Sequence, residues 1–522
     1  MSLLMNDSGG GGKKALRDWG TVGALTFASR VAGYARDLAV AYFLGAGYQS
    51  DAFYVAFRIP NLLRRLFGEG MLSASFIPVF TEHTRKNGER AAREGFSAVV
   101  AALIVILGIV TALGVIFAPQ IVRLFASGFG QESFELAVSL VRVMFPYILF
   151  VSFAAVSMGA LNSVGHFFAP AISPLLFNIA FIAALVLFHG AWSEPATAAG
   201  LGVLAGGALQ SVVNIPFLKK RGLSPGFSGI FKHSVLLKKI GVLMIPQLFG
   251  VAVYNLNIIV NTQYASHMES GTVSYLYFAE RLTEFPLGIG AVAIATVLLP
   301  RLSACAAEGD MDGFRQNYGG LLRMAFFITL PAIAGLAALA LPVCSVLFER
   351  GEFTSQDALF SSQALLGYAA GLWAVAGIRI TAPAFFALKD TKTPVVAAAI
   401  ALAVNLALGY VLGFTFGLKH MGLALASSVS AAVNFLILFS LLNGKTGNIT
   451  GSGFTVWWIK VALLAAFSGL AAKGCYETVK TLAPEAAALA MAIATGAALF
   501  MLAAKYLRIE EAEKLLGMVR GR

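Results

Sequence analysis

Residues Asp51–Pro78 read DAFYVAFRIPNLLRRLFGEGMLSASFIP, a stretch long and apolar enough to cross a bilayer that nevertheless carries charge. Arg58, Arg64, Arg65 and Glu69 lie inside it, with apolar residues on both sides. A cation near the centre of a bilayer costs roughly 2.5–3.5 kcal/mol on insertion scales. Three cations in one span therefore require anionic partners or a polar cavity, and other parts of the chain must supply them.

The composition places this stretch in a membrane protein. Of 522 residues, 58% are hydrophobic and only 12% are charged, and the mean hydropathy is +0.79. A soluble domain carries about 25% charged residues. The net charge of +12 comes largely from the loops of one side, so it indicates topology and no nucleic-acid partner is expected. Cys305, Cys344 and Cys475 are far apart, so neither a disulfide framework nor a metal site is predicted.

Windows of about 20 apolar residues predict an all-α polytopic membrane protein with about fourteen transmembrane helices. The predicted spans are 20–44, 52–80, 96–118, 137–161, 167–189, 197–218, 238–265, 272–300, 317–341, 359–387, 393–416, 420–442, 454–473 and 485–505. Lys and Arg concentrate on the cytoplasmic side of a membrane protein. With the N-terminus inside, the few cations left on the other side are Arg123, Arg350, Lys419, Lys473 and Lys480. Both termini are therefore predicted to be cytoplasmic.

The opening stretch recurs in the second half of the chain. Asp51–Pro78 aligns with Val273–Pro300, and each segment ends a helix at a proline. The other matches are Leu124, Phe125 and Gly128 with Leu347, Phe348 and Gly351, and Pro170 with Pro394. Six spans separate the two copies, so both insert in the same direction and an axis along the membrane normal relates them. Two such lobes are typical of an alternating-access transporter, with a channel or a duplicated membrane enzyme as the alternatives.

The repeat predicts five regions along the chain. They are a cytoplasmic tail (1–19), an N-lobe of spans 1–6 (20–220), a C-lobe of spans 7–12 (221–443), the extra spans 13 and 14 (444–505) and a second cytoplasmic tail (506–522).

The first two spans carry a charged constellation. Span 1 contains Arg30, Arg36 and Asp37, and Arg30 lies too far from either end of the span to reach the headgroups easily. In span 2, Asp51, Arg58 and Arg65 share one stripe of the helix, and Glu69 lies one turn after Arg65. The two spans together hold five arginines, with Arg64, against three acidic residues. A purely structural ion-pair network would balance its charges, so the excess predicts an anionic guest.

The second lobe adds two arginines to this prediction. Arg281, in span 8, lies beside Glu280 and one turn before Glu284, so a structural ion pair could neutralise it. Pro286 follows closely and predicts a broken helix, which lipid tolerates only beside a cavity or protein. Arg379 is a further cation in span 10. Arginine presents a planar fork that suits phosphate and carboxylate, and we expect these arginines to line a water-filled cavity between the lobes.

The sequence gives less support to two other classes of function, a membrane enzyme and a scaffold protein. A membrane enzyme acting on a polyprenyl phosphate would need clustered carboxylates for Mg²⁺ or a His/Asp pair, and the sequence has no such run. A nucleotide-binding loop is also absent from the sequence. A scaffold protein would have no use for charge buried in the membrane. Conversion of a labelled polyprenyl pyrophosphate would distinguish an enzyme from a transporter.

The segments FASRVAGYARDLAVAYFLGAG (27–47), SDAFYVAFRIPNLLRRLFGEGMLSASFIPVF (50–80) and YFAERLTEFPLGIGAVAIATVLLPRLS (277–303) closely resemble the MurJ/MviN type of lipid II flippases. These belong to the multidrug/oligosaccharidyl-lipid/polysaccharide exporter superfamily. The resemblance covers the whole chain. It implies a transporter and not an enzyme, which would carry lipid II, the undecaprenyl-pyrophosphate-linked disaccharide-pentapeptide, to the periplasmic leaflet for peptidoglycan and cell-wall synthesis. A flippase for another polyprenyl-linked glycan or anionic lipid is the alternative.

The resemblance also implies roles for individual residues. The family's essential arginines correspond to Arg30, Arg36, Arg64 and Arg281, and its important acid corresponds to Asp51. Glu69 and Arg58 also match charged family positions. Spans 13 and 14 would form, with the second lobe, a groove for the polyprenyl tail. Some relatives bind sodium through an Asn and an Asp one turn apart in span 11. Here Asn405 is followed one turn later by Gly409, which argues against such a site.

The resemblance places the protein in the bacterial inner membrane as a multi-pass protein, with lipid II and membrane lipids as partners. A monomer and an association with the cell-wall synthesis machinery are both compatible with the sequence. No cofactor is expected, and an ion gradient (Na⁺ or H⁺) or the membrane potential would drive transport. Asp51 is predicted either to cap span 2 or to act with Glu69 as internal counter-ions that the substrate displaces.

Overall fold

The computed structural model describes residues 11–64, 71–223, 226, 234–289, 291–449, 451 and 453–519. Regular structure in these ranges is entirely helical, which confirms the predicted all-α class. The first ten helices are α1 (Gly11–Leu44), α2 (Tyr48–Arg64), α3 (Met71–Ile116), α4 (Ala118–Ala126), α5 (Gln131–Met144), α6 (Tyr147–Ser163), α7 (Phe168–Phe188), α8 (Pro195–Val212), α9 (Asn214–Lys220) and α10 (Ser234–Ser266).

The second half contains ten more helices, with one π-helical turn (Val411–Thr415) after α16. They are α11 (Thr272–Ile289), α12 (Ala291–Glu308), α13 (Met311–Phe348), α14 (Ser355–Ala369), α15 (Leu372–Ala387), α16 (Lys392–Tyr410), α17 (Lys419–Thr446), α18 (Phe454–Val479), α19 (Glu485–Tyr506) and α20 (Glu510–Val519).

Several of these helices are suited to a bilayer. Among the described residues, nine helical segments are long and apolar enough to cross a membrane, and the bent pair α14–α15, with 45° between its members, makes a tenth. Helices α1 and α11 are outside this count because arginine and acidic residues interrupt their apolar runs. The chain is thus a multi-pass membrane protein, and the number of fourteen spans stays a prediction.

Two predicted spans include residues outside the described ranges. Span 2 (52–80) begins in α2, which is described to Arg64, and continues in α3, which is described from Met71. Span 8 (272–300) comprises α11, Thr272–Ile289, and the beginning of α12 at Ala291. Pro286 lies inside α11, and the broken helix expected from its ring and missing N–H stays a prediction.

The chain divides into two compact units. Unit 1 comprises Met1–Asn255 together with Arg350–Phe353, and unit 2 comprises Leu256–Glu349 and Thr354–Arg522. The boundary falls inside α10, whereas the predicted lobes meet at residues 220 and 221. Unit 1 thus includes the connection between α13 and α14, although both of those helices belong to unit 2.

Glycines let the helices of unit 1 approach closely. A methyl group on Gly207 of α8 would lie 2.4 Å from the ring of Tyr147 in α6, and one on Gly206 would lie 2.8 Å from Phe177 in α7. Small residues at such crossings are the usual means of packing helices in lipid, where no hydrophobic effect drives association. A separate hydrophobic core of unit 1 contains the stacked rings of Phe76 and Phe80 of α3.

Unit 2 is built around α13, α15 and α17. Phe326 of α13 packs edge-on against Trp373 of α15 and Phe435 of α17, with ring centroids 6.2 and 5.8 Å apart. The longest helix of this unit, α13, contains Pro331 and Pro342 and departs from helical geometry at Leu339. Its opposite face packs against α18 and α19, and that contact positions the cavity described below.

Candidate functional site

The charged cluster of span 1 is centred on an ion pair. The guanidinium of Arg36 donates to Asp37 Oδ1 from Nε at 3.1 Å and from Nη2 at 2.8 Å. Both side chains are largely withdrawn from solvent, with 14% of Arg36 and 2% of Asp37 exposed. A buried carboxylate requires such a partner, because an unpaired charge in a low-dielectric interior is expensive. The pair therefore neutralises part of the positive charge that, from the sequence, we expected an anionic substrate to neutralise.

Helix α7 contributes further contacts to Arg36. Nη1 donates to Oδ1 of Asn178 at 3.4 Å, and Asn178 Nδ2 donates to the backbone carbonyls of Ser29 and Pro174 at 3.3 and 3.1 Å. The rings of Phe57 and Phe181 lie with their centroids 5.8 and 5.9 Å from the Arg36 guanidinium carbon, within the range of cation–π attraction.

Three of these partners were missed in the sequence. Asn178 stands out as an amide inside the apolar run of α7, and that signal could have identified it. Phe57 and Phe181 carry no comparable signal, because phenylalanines are common in every span.

Arg30 lies earlier on the same helix and is exposed. No described residue forms a hydrogen bond or ion pair with its guanidinium. Its guanidinium therefore has no described bonding partner, in contrast to that of Arg36. Such an arginine can bind an anion without first releasing an internal partner.

Helix α2 holds the next group of predicted residues. It begins at Tyr48, where Gly47 precedes the first turn and Ser50 accepts a hydrogen bond from the Gly47 N–H at 2.9 Å. Asp51 lies in this first turn and is 3% exposed, where a negative charge favours the positive end of the helix dipole. Arg58 is half-buried farther along the helix.

The end of α2 carries the last described residue of the predicted cluster. Arg64 Nε donates to Oδ1 of Asn61, one turn back, at 2.8 Å. Arg65 and Glu69 lie outside the described residues and stay predicted site residues.

The two arginines of unit 2 differ in their pairing. Arg281 Nη1 donates to Glu284 Oε2 at 2.6 Å, which is the local ion pair that the spacing in the sequence suggested. About one third of the Arg281 side chain is exposed. Arg379 of α15 is half-buried, and no described residue bonds to it. Glu284 thus partly neutralises Arg281, whereas no described residue neutralises Arg379.

A cluster of amides occupies the part of unit 2 where some relatives bind sodium. The Asn405 amide group donates to the side-chain oxygens of Asn257 and, at 2.8 Å, of Asn261. Asn261 Nδ2 in turn donates to Ser427 Oγ at 3.0 Å. These oxygens already accept N–H groups, and the cluster includes no carboxylate. A methyl group on Gly409 would lie 3.0 Å from Tyr264, so the position that bears Asp in those relatives is closely packed.

This arrangement does not fit a sodium site of that design, since a hard cation needs free oxygen ligands and usually carboxylates. The described residues also include no group of three or more His, Cys, Asp or Glu side chains that could hold a metal ion.

Unit 2 also contains an apolar cavity of about 380 Å³. It lies between α13, α18 and α19, and a methyl group on Gly335 of α13 would meet no atom within 4 Å. Its lining is almost entirely hydrocarbon, with Ser468 as a rare polar member. The Ser468 hydroxyl donates a hydrogen bond to the backbone carbonyl of Leu464 at 2.8 Å, so it is not available to a ligand as a donor. A site of this kind accepts an alkyl or isoprenoid chain and offers nothing to a charged group.

Comparisons of the sequence with known proteins point to one family. The model of the family described as "Lipid II flippase MurJ" matches residues 40–504. A relative from Vibrio cholerae, named probable lipid II flippase MurJ, is 36% identical over 456 residues, which is 86% of each chain. The lipid II flippase MurJ of Burkholderia cenocepacia is 38% identical over 425 residues, which is 80% of this chain and 82% of the relative.

Solved structures agree with the sequence matches. A lipid II flippase MurJ in an inward closed conformation is similar with a TM-score of 0.76 and 27% identity, over 93% of this chain and 98% of that one. An inward-facing multidrug resistance transporter of the MATE family and the MOP superfamily has a TM-score of 0.65 at 18% identity, over 80% and 96% of the two chains. The second likeness concerns the fold alone.

Proposed function

The chain belongs to the MurJ family of lipid II flippases, and we propose that it carries lipid II from the cytoplasmic to the periplasmic leaflet of the bacterial inner membrane by alternating access. The observation that carries this proposal is an arginine-rich pair of helices in a family whose named members flip an anionic lipid. The protein is a transporter, and no covalent step is part of its action.

The head group of the substrate would bind to arginines. Arg30 offers its donors at once, whereas Arg36 and Arg281 exchange Asp37 and Glu284 for the pyrophosphate or a peptide carboxylate. Such an exchange keeps each guanidinium paired before and after binding, which limits the cost of desolvation. Asp51, Arg58, Arg64, Arg65, Glu69 and Arg379 complete the proposed site. Asp51 and Glu69 would act as internal counter-ions.

The polyprenyl tail would lie in the apolar cavity of unit 2. Its lining by α18 and α19 supports this assignment, because spans 13 and 14 are additional to the two repeated lobes. A cavity of about 380 Å³ holds only part of an undecaprenyl chain, and the remainder would stay in the bilayer.

The membrane potential is the proposed driving force. The neutral amide cluster around Asn405 supports a mechanism without a sodium step. Outward movement of a net negative charge is favoured when the cytoplasm is negative, by about 2.3 kcal/mol per charge per 100 mV. Both termini would lie in the cytoplasm, and the protein would act as a monomer beside the cell-wall synthesis machinery.

Complementation of a strain that lacks its own flippase tests the head-group site. We expect Arg30→Ala, Arg36→Ala, Arg64→Ala and Arg281→Ala each to abolish growth while the protein is still present in the membrane. Lysine at the same positions should restore growth only in part, because its single ammonium cannot make the bidentate contact.

The matched control is Arg90→Ala. Arg90 is 93% exposed and pairs only with Glu94 of its own helix among the described residues, so this variant should grow as wild type. Growth of all four alanine variants would refute the assignment of the site. Competition between lipid II and another polyprenyl-linked glycan in the same strain would decide between lipid II and the alternative substrates.

A further inference from the structure

The C-terminal helix α20 contributes to the lining of the apolar cavity. Leu515 is the residue of α20 in that lining. Phe500 of α19 also lines the cavity and belongs to the same core as Ile509 and Ala512, so α20 packs near the end of the cavity that Phe500 lines.

The turn before α20 directs it back onto unit 2. The Ile509 N–H donates to the carbonyl of Ala504 at 2.9 Å, and the Arg508 N–H donates to that of Lys505 at 3.0 Å. Arg508 has φ +52°, a left-handed conformation that is unusual outside glycine. These bonds end α19 and reverse the chain, as in a C-terminal helix cap. The position of α20 is therefore set by a defined turn.

Helix α20 is amphipathic, and its apolar face packs against protein. Ile509 is 4% exposed and Ala512 is fully buried in the core of unit 2. Glu513 is exposed on the polar face, where Glu510 pairs with Lys514 at 2.7 Å. An amphipathic helix that merely rested on the membrane surface would bury its apolar face in lipid instead.

A buried carboxylate anchors the helix. Glu511 is 3% exposed and accepts a hydrogen bond from the indole Nε1–H of Trp457, at the beginning of α18, at 3.0 Å. Trp457 is held in turn by stacking on Phe454, with ring centroids 5.7 Å apart, and by the guanidinium of Arg323 at 5.7 Å. Burial of a carboxylate is tolerated only with such partners, so the contact holds α20 in one place.

We propose that α20 is the floor of the polyprenyl-tail cavity and that Leu515 determines how far the chain can enter. This inference rests on the proposed function and adds a residue that selects the length of the isoprenoid. A short chain ends before it reaches Leu515. A long chain fills the cavity to the floor and must turn out into the bilayer there.

The test compares two ligands on the full chain in lipid nanodiscs: farnesyl diphosphate and undecaprenyl diphosphate. Leu515→Trp should weaken the binding of undecaprenyl diphosphate by about tenfold, the effect of overfilling an apolar site. Binding of farnesyl diphosphate should stay within about twofold of wild type, because the short chain does not reach the floor. Leu515→Met conserves volume and should bind both ligands as wild type.

Leu516→Trp is the matched control, since Leu516 is the next residue on α20 and is not in the cavity lining. It should leave both affinities unchanged. If Leu515→Trp does not fold, Leu515→Ala replaces it. We expect Leu515→Ala to weaken only the long ligand, by about fivefold through lost apolar contact.

The outcomes separate this inference from the function on which it rests. Equal effects of the Leu515 variants on both ligands, or no effect on either, would overturn the role of α20 while the flippase assignment stands. The head group is checked independently by Arg30→Ala, which should weaken both diphosphates alike. If wild type binds neither diphosphate, the proposed function and the role of α20 fail together.

Discussion

At the scale of single residues, the two arginines of span 1 differ in whether other described residues bond to them. Arg36 is fixed by Asp37, Asn178 and two aromatic faces, whereas Arg30 on the same helix has no bonding partner among the described residues. The sequence treats the two arginines alike. On the proposed function, these different environments predict that Arg30 contacts an anion first and that Arg36 follows by exchanging Asp37.

A second residue-scale feature is a close contact between two backbone segments, in which a glycine of each segment lies against the other. The segment Arg350–Phe353 lies against the end of α1, where the Glu352 N–H donates to the carbonyl of Tyr42 at 2.9 Å. Gly45 and Gly351 both have φ +60°, and a methyl group on Gly351 would lie 2.2 Å from that carbonyl oxygen. Only glycine allows both the left-handed backbone and the contact.

We expect Gly351→Ala to destabilise the protein by about 3 kcal/mol or more, because backbone strain and a steric clash add. Gly165→Ala is the matched control. Gly165 also has a left-handed φ of +73°, but no atom lies within 4 Å of the added methyl group. It should cost only about 1–2 kcal/mol. Thermal unfolding in detergent measures both, and equal losses would contradict the clash.

At the scale of elements, Asp390 links two helices at the beginning of α16. Its Oδ1 accepts the N–H groups of Lys392 and Thr393 at 3.1 and 3.0 Å, and its Oδ2 bonds to Lys445 of α17. The hydrogen bond from Lys445, followed by those from Thr393, holds the pKa of Asp390 well below its ordinary value of 3.8. Asp390 thus joins a helix cap to an ion pair.

This lowered pKa makes a pH-dependent contribution to stability. The contribution is fully present above the unfolded-state pKa and is lost as the pH falls through the folded-state pKa. Asp390→Asn keeps the cap but removes the charge. We expect its melting temperature to be lower than wild type by a constant amount from pH 7 to pH 5, and the difference to shrink below about pH 4.

Asp312→Asn serves as the control for this pH series. Asp312 also pairs with a basic side chain, that of Arg315, but the Asp312 side chain is 91% exposed, so water screens the pair. We therefore expect Asp312→Asn to lower the melting temperature less than Asp390→Asn does. A difference between Asp390→Asn and wild type that persisted unchanged at pH 3 would show that charge on Asp390 is not the cause.

At the scale of the whole molecule, we expect transport to depend on the membrane potential or an ion gradient, because the sequence contains no nucleotide-binding motif. Flipping of lipid II in proteoliposomes should accelerate when a potassium diffusion potential makes the compartment on the cytoplasmic face negative. Replacing sodium by choline at a fixed potential should leave the rate unchanged, because the Asn405 cluster has no carboxylate. A rate that ignored potential, or that required ATP or sodium, would refute this account.

The sequence alone determined the membrane class, the helical fold and the family resemblance, and it supplied the arginines that we predict to bind substrate. Each of these follows from composition, from apolar runs or from charges that are costly in lipid, and those properties are local. The spacing of Arg281 and Glu284 also predicted their ion pair, since one helical turn separates them.

Only the tertiary structure decided which charges are already paired and which apolar surfaces meet. Asn178 reaches Arg36, Glu511 reaches Trp457, and Asn405 reaches Asn257 and Asn261 across large separations in sequence. No local pattern encodes such contacts, because they depend on how whole helices pack. The same packing leaves the cavity between α13, α18 and α19 and brings Leu515 of α20 into its lining.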